Sequence, residues 1–530
     1  MIGGSWLLTL SVSNPPIRGG TFSHDRHPGK AVDLPRATPF WVAVGVLWWR
    51  GGDVTSVAIV QGRAGVQDDE STARSLPVGL LVALGLGIAL CWLVAIVLAR
   101  AGLNPLGVYN GAFAVAFALY LVAAARVIRL AVPAGRGALA LMLALALVPR
   151  LILLVSTPAL SDDLYRYIWD GKVAAAGIDP YRYAPDAPEL AFLRDRLWPP
   201  INQRSQHTPY PPAAQAVFAL TYRVMPDSVK AQQAVAVLAD LLVIGALLLL
   251  LGRLGLPRER VLLYAWSPTP VLHFAHSAHN DALMIAAVLL ALALVVGPGG
   301  GTTWRRVGSG VALAVAALVK LVPLLLVVPL LRRWRVAGGL ACLLTLLVGI
   351  APFAASGGAA LTGLGTEAGE SVFNDGLHFV LVRLFGLFTD RASLASGLFS
   401  AALLGLTALW LAWRGGDDLA LVRGATTLLA LAILLNAVVE PWYLAWLLPF
   451  IAILLPPGAG RWPFAITPLL GWLWVSGAIQ LTDLTYLDPA NVRWWPFIRL
   501  VEYGPLLAIL CLTPLSAARR RIGRSPRITA

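Results

Sequence analysis

The sequence predicts an all-α protein that threads a lipid bilayer many times, and three observations predict it. Of 530 residues, 58% are hydrophobic and only 13% are charged, against about 25% charged in an ordinary soluble domain. The mean hydropathy is +0.74. Apolar runs near the roughly 20 residues needed to cross a bilayer core recur along the chain. Val78–Leu98, Val235–Leu251 and Ala282–Val296 are the clearest.

The net charge of +14 would suggest nucleic acid in a soluble protein. Here Lys and Arg sit in short tracts between apolar runs, so they read as the cytoplasmic loops of the positive-inside rule. Cys91, Cys342 and Cys511 lie inside apolar runs and read as packing thiols, without the pairing of a secreted domain or a zinc site. Residues 1–76 are polar and irregular, with one apolar run, Phe40–Trp49, too short to span. They carry no signal-peptide pattern and read as a cytoplasmic tail, either disordered or an over-extended start.

Charge then sets topology. About fourteen crossings are expected, with both termini cytoplasmic: 77–99, 107–125, 137–156, 230–252, 259–276, 280–297, 307–319, 321–331, 336–355, 392–413, 421–438, 441–456, 463–481 and 497–515. This assignment puts Arg126/Arg129/Arg136, Arg253/Arg258/Arg260, Arg305/Arg306, Arg332/Arg333/Arg335, Arg414 and Arg519–Arg521 on one side. Segment 157–229 becomes a large outer loop with a short surface helix after Tyr210-Pro211-Pro212, and 356–391 a second outer segment. The organisation is a tail (1–76), two extra N-terminal helices (77–136) and a main membrane domain (137–530).

Charged groups near a bilayer are costly and mark function, and most gather on the side away from the arginines. The first outer segment opens Ser161-Asp162-Asp163-Leu164-Tyr165-Arg166-Tyr167-Ile168-Trp169-Asp170-Gly171. As a helix it sets Asp163, Tyr167 and Asp170 on one face, with Ser161 as N-cap and acids in the first turn. Ile178-Asp179-Pro180-Tyr181 and Thr208-Pro209-Tyr210-Pro211-Pro212 are rigid turns, either plain punctuation or substrate-facing. His279-Asn280-Asp281 opens the 280–297 helix, where Asn280 or Asp281 also suits a cap. His273, His276 and His279 recur every third residue, but no Cys or carboxylate cluster accompanies them, so no metal or other cofactor is assigned. Lys320 lies at an outer turn, suited to an anionic phosphate or to snorkelling. Glu367, Glu370, Asn374, Asp375 and His378 supply the second outer segment, and Glu440-Pro441-Trp442-Tyr443 caps another outer helix end. Arg150, Asp240 and Glu502 fall inside spans and read as structural partners.

Taken together, Ser161–Gly171, Gly177-Ile178-Asp179-Pro180-Tyr181, Thr208–Pro212, His279-Asn280-Asp281, Lys320-Leu321-Val322-Pro323 and Pro441-Trp442-Tyr443 resemble bacterial GT-C glycosyltransferases, and among them the polyprenol-phosphate-mannose-dependent mannosyltransferases. The resemblance runs from about residue 137 to the C-terminus. It implies a GT-C-like helical bundle in the bacterial cytoplasmic membrane, with its active site outside. It also implies a polyprenyl-phosphate sugar donor, a glycan or glycolipid acceptor, and an acidic general base in the first outer loop. It marks the pair Asp162 and Asp163 better than the member; Asp162 is favoured as base, Asp163 as the orienting or capping residue. Lys320 and Arg166 would meet the departing phosphate, and Tyr167, Asp170, Tyr210, His279, Asn280, Asp281, His378, Glu440, Trp442 and Tyr443 would line the substrate site. No Gly-x-x-x-x-Gly-Lys-Ser/Thr loop is present, consistent with a lipid phosphate in place of a nucleotide. A transporter or lipid flippase would also use a polar cavity, but such proteins often show repeated halves, and no internal repeat is visible.

Overall fold

The computed structural model describes residues 77–128, 135–356, 373–456, 467–483, 485 and 494–522. The tail 1–76, Arg129, Glu367 and Glu370 lie outside them.

Among the described residues the protein is helical. Eight helices are long and apolar enough to cross a membrane. In chain order, the elements that position the site are α1 (Val78–Arg100), α2 (Pro105–Ile128), α3 (Arg136–Leu154), α4 (Asp163–Ala175), α5 (Pro212–Val224), α6 (Val229–Arg253), α7 (Asp281–Val295), α8 (Thr303–Val319), α9 (Val327–Ile350), α10 (Gly376–Phe385), α11 (Ala392–Arg414), α12 (Asp418–Leu435), α13 (Leu448–Leu454), α14 (Pro468–Ala478) and α15 (Trp495–Ile522). Large apolar side chains point outward on the long helices: Leu90 and Val97 on α1, Leu238 and Leu242 on α6, Leu344 and Val348 on α9. Such faces suit lipid, not water.

Several expected crossings are short or broken. The stretch 259–276 is a chain of brief turns ending in a π-helical segment, Val271–His276; Pro257 precedes it and Pro268 and Pro270 interrupt it. The 441–456 run is a 3₁₀ turn, Pro441–Trp446, followed by α13, with Pro441 and Pro449 at the starts. The 463–481 run, described from residue 467, becomes α14 and another 3₁₀ turn, Ile479–Asp483.

The pieces 321–331 and 336–355 merge into one apolar element, Val322–Phe353. Its geometry is nevertheless that of two legs. Arg335 has φ 53° and ψ −151°, a sharp reversal inside α9. A Cβ on Gly310 would meet the Gly338 carbonyl at 2.1 Å, and one on Gly349 would meet Leu318 at 2.4 Å. So α8 and the second leg run side by side in the same direction, and 322–334 returns between them. Trp334 Nε1 donates to Ser309 Oγ (2.7 Å) at the base of this loop. Lys320 stands at its tip.

The two ends of the bundle differ in chemistry. At one end Arg333 pairs with Asp418 (2.7 Å), Asp418 accepts from the Gly297 amide (2.8 Å), and Arg305 donates to the Pro298 carbonyl (2.7 Å). At the other end of α7 lie His279 and Asp281. The fifteen residues of α7 separate the two by about 22 Å. In the interior, Arg150 of α3 and Asp240 of α6 pair at 2.6 Å, both fully buried. Glu502 pairs elsewhere, accepting from Asn374 Nδ2 (2.9 Å).

Candidate active site

The site is built from the first turn of α4 outward. Ser161 Oγ accepts the Asp163 amide (3.3 Å), the capping role its spacing suggests. Neither Asp162 nor Asp163 caps the helix with its side chain. The expected capping role of Asp163 is therefore replaced by another: Asn202 Nδ2 reaches both carboxylates, at 3.0 Å to Asp162 Oδ1 and 2.7 Å to Asp163 Oδ1. Both charges sit where the helix dipole favours anions.

Asn202 is held there by the outer loop, which folds over α4. Arg166 is 2% exposed and pairs with Asp170 (3.0 Å) while donating to the Gln203 and Gln206 carbonyls (3.3 and 3.0 Å). Asp170 also accepts from Thr208 Oγ1 (2.5 Å) and Gln215 Nε2 (3.0 Å). These two residues, expected to meet substrate, are instead the clamp that sets the loop carrying Asn202. Tyr167 is buried, stacked on Phe218 with centroids 4.6 Å apart and met edge-on by Tyr210. The Tyr210 carbonyl accepts the Tyr181 hydroxyl (2.7 Å). Gly171 is required for this packing, since a Cβ there would meet the Phe218 carbonyl oxygen at 2.4 Å.

The second wall comes from the turn before α7. Ala278 has φ +61°, a conformation that costs an L-residue about 1–2 kcal/mol. It turns the chain so that the buried His279 ring lies with Nδ1 3.4 Å from Asp163 Oδ2. Its other face stacks on Trp442 (3.6 Å between centroids, 18°). The other histidines diverge: His276 Nδ1 bonds Ser156 Oγ (2.8 Å) and His273 Nε2 bonds Gln480 (3.1 Å). Among the described residues no three His, Cys, Asp or Glu side chains converge as a metal set. Asn280 occupies the N-cap position of α7 without capping it by its side chain.

Asp281 opens α7, 1% exposed, and accepts from Lys320 Nζ (2.9 Å) and Trp446 Nε1 (2.8 Å). The Lys320 ammonium lies 4.0 Å from the Tyr443 ring centre and 5.1 Å from that of Trp446, so it is boxed by aromatic faces rather than snorkelling. Its side chain keeps 27% of its surface open. Glu440 precedes this aromatic turn, its carbonyl accepting the Tyr443 amide (3.0 Å).

The two carboxyls differ electrostatically. Partial burial, then the neighbouring Asp163 charge, pushes the solvent-reachable Asp162 carboxyl above its ordinary value. Burial also opposes ionisation of Asp163, but His279, Asn202 and the nearby Lys320 outweigh it and hold that carboxyl low. One member of the pair is exposed and comparatively basic, the other pinned and ionised.

Asp162, Asp163, His279, Asp281, Lys320, Trp442 and Tyr443 thus assemble from four separate stretches of chain. His378 belongs to a second polar cluster with Asp375 (3.3 Å). Asn202 and Trp446 were not expected. Asn202 lies 39 and 40 residues from its partners in a loop without motif. Trp446 follows Trp442 by four residues, an aromatic spacing that does carry a signal.

Residues 72–335 match the N-terminal domain of the family described as alpha-(1->6)-mannopyranosyltransferase. The chain is 27% identical over 376 residues to a probable alpha-(1->6)-mannopyranosyltransferase of Mycolicibacterium smegmatis, an alignment covering 60% of this chain. It is 28% identical over 354 residues, 61% of this chain, to alpha-(1->6)-mannopyranosyltransferase A of Mycobacterium tuberculosis. The chain is thus similar to the alpha-(1->6)-mannopyranosyltransferases. The alignments span 66% of the length of each of these relatives. The mannosyltransferase family match begins at residue 72, ahead of α1 and α2, which the motifs alone left outside the resemblance. Among solved structures, ArnT from Cupriavidus metallidurans, crystallised with undecaprenyl phosphate, is similar at TM-score 0.35 and 14% identity, covering 71% of this chain and 76% of that one.

Proposed function

We propose that this protein is a membrane mannosyltransferase of the GT-C type, moving a hexose, mannose by its family, from a polyprenyl-phosphate carrier to a hydroxyl on an extracytoplasmic glycan or glycolipid. The observation that carries the reading is the convergence of a paired carboxylate and a boxed ammonium at one end of the bundle, opposite the arginine-rich end. Glycosyl transfer needs a base for the acceptor hydroxyl and a cation for the departing phosphate; these are the two groups present.

In this reading Asp162 Oδ takes the acceptor proton as the hydroxyl oxygen attacks the anomeric carbon. The anomeric carbon–oxygen bond breaks, and its electron pair leaves on the polyprenyl phosphate. Asp162 suits the base because it is exposed and its carboxyl is raised. Asp163, tied by Asn202 and facing His279, positions the site. Lys320 exchanges part of its contact with Asp281 for the phosphate, and the two aromatic rings beside it shield part of the ammonium from water, which strengthens the charge interaction. The arginine-rich end is cytoplasmic by the positive-inside rule, so the site faces outward.

The decisive experiment is transfer by the purified protein with a panel of polyprenyl-phosphate sugars. Transfer from the mannose carrier is the expected result. Absence of transfer from every carrier, together with movement of a lipid or solute across liposomes, would make the protein a transporter.

A further inference from the structure

A second polar cluster lies beside the first. The Phe373 amide donates to the Ala437 carbonyl (3.0 Å), and the Val439 amide donates to the Phe373 carbonyl (2.8 Å). This two-bond splice ties the start of the second outer segment to the strip that leads, through Glu440, to Trp442 against His279. Asn374 and Asp375 follow at once. Asn374 Nδ2 donates to Glu502 Oε2 (2.9 Å), and Asp375 accepts from Arg499 Nη2 (2.6 Å) while its other oxygen lies 3.3 Å from His378 Nδ1. Groups from the second outer segment, α10 and α15 therefore meet at one place.

The cluster is incompletely satisfied. Asn374 Oδ1, Glu502 Oε1, Tyr503 Oη and Arg499 Nε have no hydrogen-bond partner among the described residues, although Asn374, Glu502 and Tyr503 are 1%, 0% and 4% exposed. Native proteins rarely leave such groups unpaired in the interior. The Arg166–Asp170 network under the outer loop leaves one such atom, Gln215 Oε1, whereas four gather here.

We infer that this cluster is the acceptor subsite and binds a neutral, hydroxyl-rich glycan; the inference rests on the glycosyl-transfer reading above. The chemistry of the vacant atoms selects the ligand. Asn374 Oδ1 and Glu502 Oε1 accept hydrogen bonds, Arg499 Nε donates, and a phenol does either. A sugar hydroxyl both donates and accepts, so it answers all four. A phosphate only accepts, and it would face the Glu502 and Asp375 carboxylates. The Arg499 guanidinium is already committed to Asp375 and to the ring faces of Phe379 and Trp495, 5.0 and 4.8 Å away. The ammonium that could exchange its contact with Asp281 for a phosphate is at Lys320, over the Tyr443 and Trp446 rings. Donor phosphate and acceptor sugar would thus approach the carboxylate pair from separate walls.

The test uses the full-length protein in nanodiscs and octyl α-mannoside as probe. Binding is read by calorimetry, and acceptor and donor KM by steady-state transfer. Glu502→Leu and Asn374→Ala each remove one vacant acceptor atom. Each should weaken octyl mannoside binding and raise the acceptor KM by about tenfold, the scale of one lost buried hydrogen bond, with donor KM unmoved. If Glu502→Leu fails to insert, Asn374→Ala gives the same readings. Unchanged affinity and acceptor KM in a folded variant would overturn the inference while leaving the transferase reading intact. A raised donor KM with unchanged acceptor KM would also overturn it, by giving the cluster to the lipid carrier. If the parent binds octyl mannoside and the variants do not, but no carrier supports transfer, the glycan site stands and the transferase reading falls.

Discussion

Arg150–Asp240 and Lys320–Asp281 are both cation–carboxylate pairs set among apolar helices, and they serve opposite ends. The first is shut off from solvent, although Arg150 Nη2 has no partner among the described residues. Asp240 also accepts the Tyr264 hydroxyl (2.6 Å), and Arg150 donates to the Ala146 and Ala265 carbonyls (both 2.7 Å). Neither side chain has any exposed surface. The second is half open: Asp281 is buried, yet Lys320 keeps more than a quarter of its side-chain surface. Openness, rather than charge, separates the two pairs, and under the proposed function it is what would let a ligand compete at Lys320.

The largest effect expected is at the carboxylates on the open side. Asp162→Asn should lower turnover by about 10²–10⁴-fold, with donor binding and thermal stability retained. Asp163→Asn should keep measurable turnover. Parental rates in both would move the base elsewhere, with Glu440 or Asp375 next to be tried.

Stability should break next, on the sealed side. Arg150→Met leaves Asp240 buried without its cation and should cost about 3–5 kcal/mol, seen as a large drop in melting temperature or loss of inserted protein. Arg150→Met with Asp240→Leu should recover most of that loss, because removing both charges also removes the desolvation penalty. The same double replacement of Lys320 and Asp281 should restore no activity. If it did, the two pairs would be alike and the contrast would be lost.

Lys320→Ala should raise the donor KM roughly tenfold with little change in melting temperature, and Lys320→Arg should keep part of the function, since a guanidinium still binds phosphate. An unaltered donor KM in Lys320→Ala would reduce this lysine to an aromatic-box ornament.

The smallest effect is a pH shift. A base must be unprotonated, so kcat/KM falls as pH drops through its pKa. With Asp162 as base, the acid limb lies above the ordinary carboxylate value of about 3.9, because burial and Asp163 raise it. With Asp163 as base, the limb would lie below that value. Stability carries the opposite sign at Asp163. Its depressed folded pKa contributes stability above the unfolded value, lost as pH falls through the folded one. Asn202→Ala withdraws the shared amide and should raise the Asp163 value.

Composition and apolar period made the membrane class and most helix positions legible, because a bilayer imposes length and hydropathy directly. Charge placement also foretold that arginines would gather at one end, as Arg305 and Arg333 do. What stayed hidden was satisfaction. Arg166 and Asp170 look like site residues in a motif, yet their bonds are spent on the loop, and no sequence spacing reveals that Gln203, Gln206 and Thr208 return to meet them. Asn202 stayed hidden for the same reason. The broken stretch 259–276 stayed hidden for another, since an apolar run does not say how prolines and a left-handed Ala278 will divide it.

The looped pair of legs that carries Lys320 has the proportions of a lever. Its tip is the lysine and its fulcrum is the Arg335 reversal, with Gly310, Gly338 and Trp334 as the tight bearing beside it. The arm of 322–334 is about 20 Å long at helical rise, so a tilt of about 5° at the bearing moves the ammonium by nearly 2 Å. Since a misplacement of about 1 Å at reacting groups can cost roughly 10²-fold in rate, one added methyl at Gly338 would, under the proposed function, be felt at the far end of the bundle. Position at one end of the bundle would then be set by packing at the other.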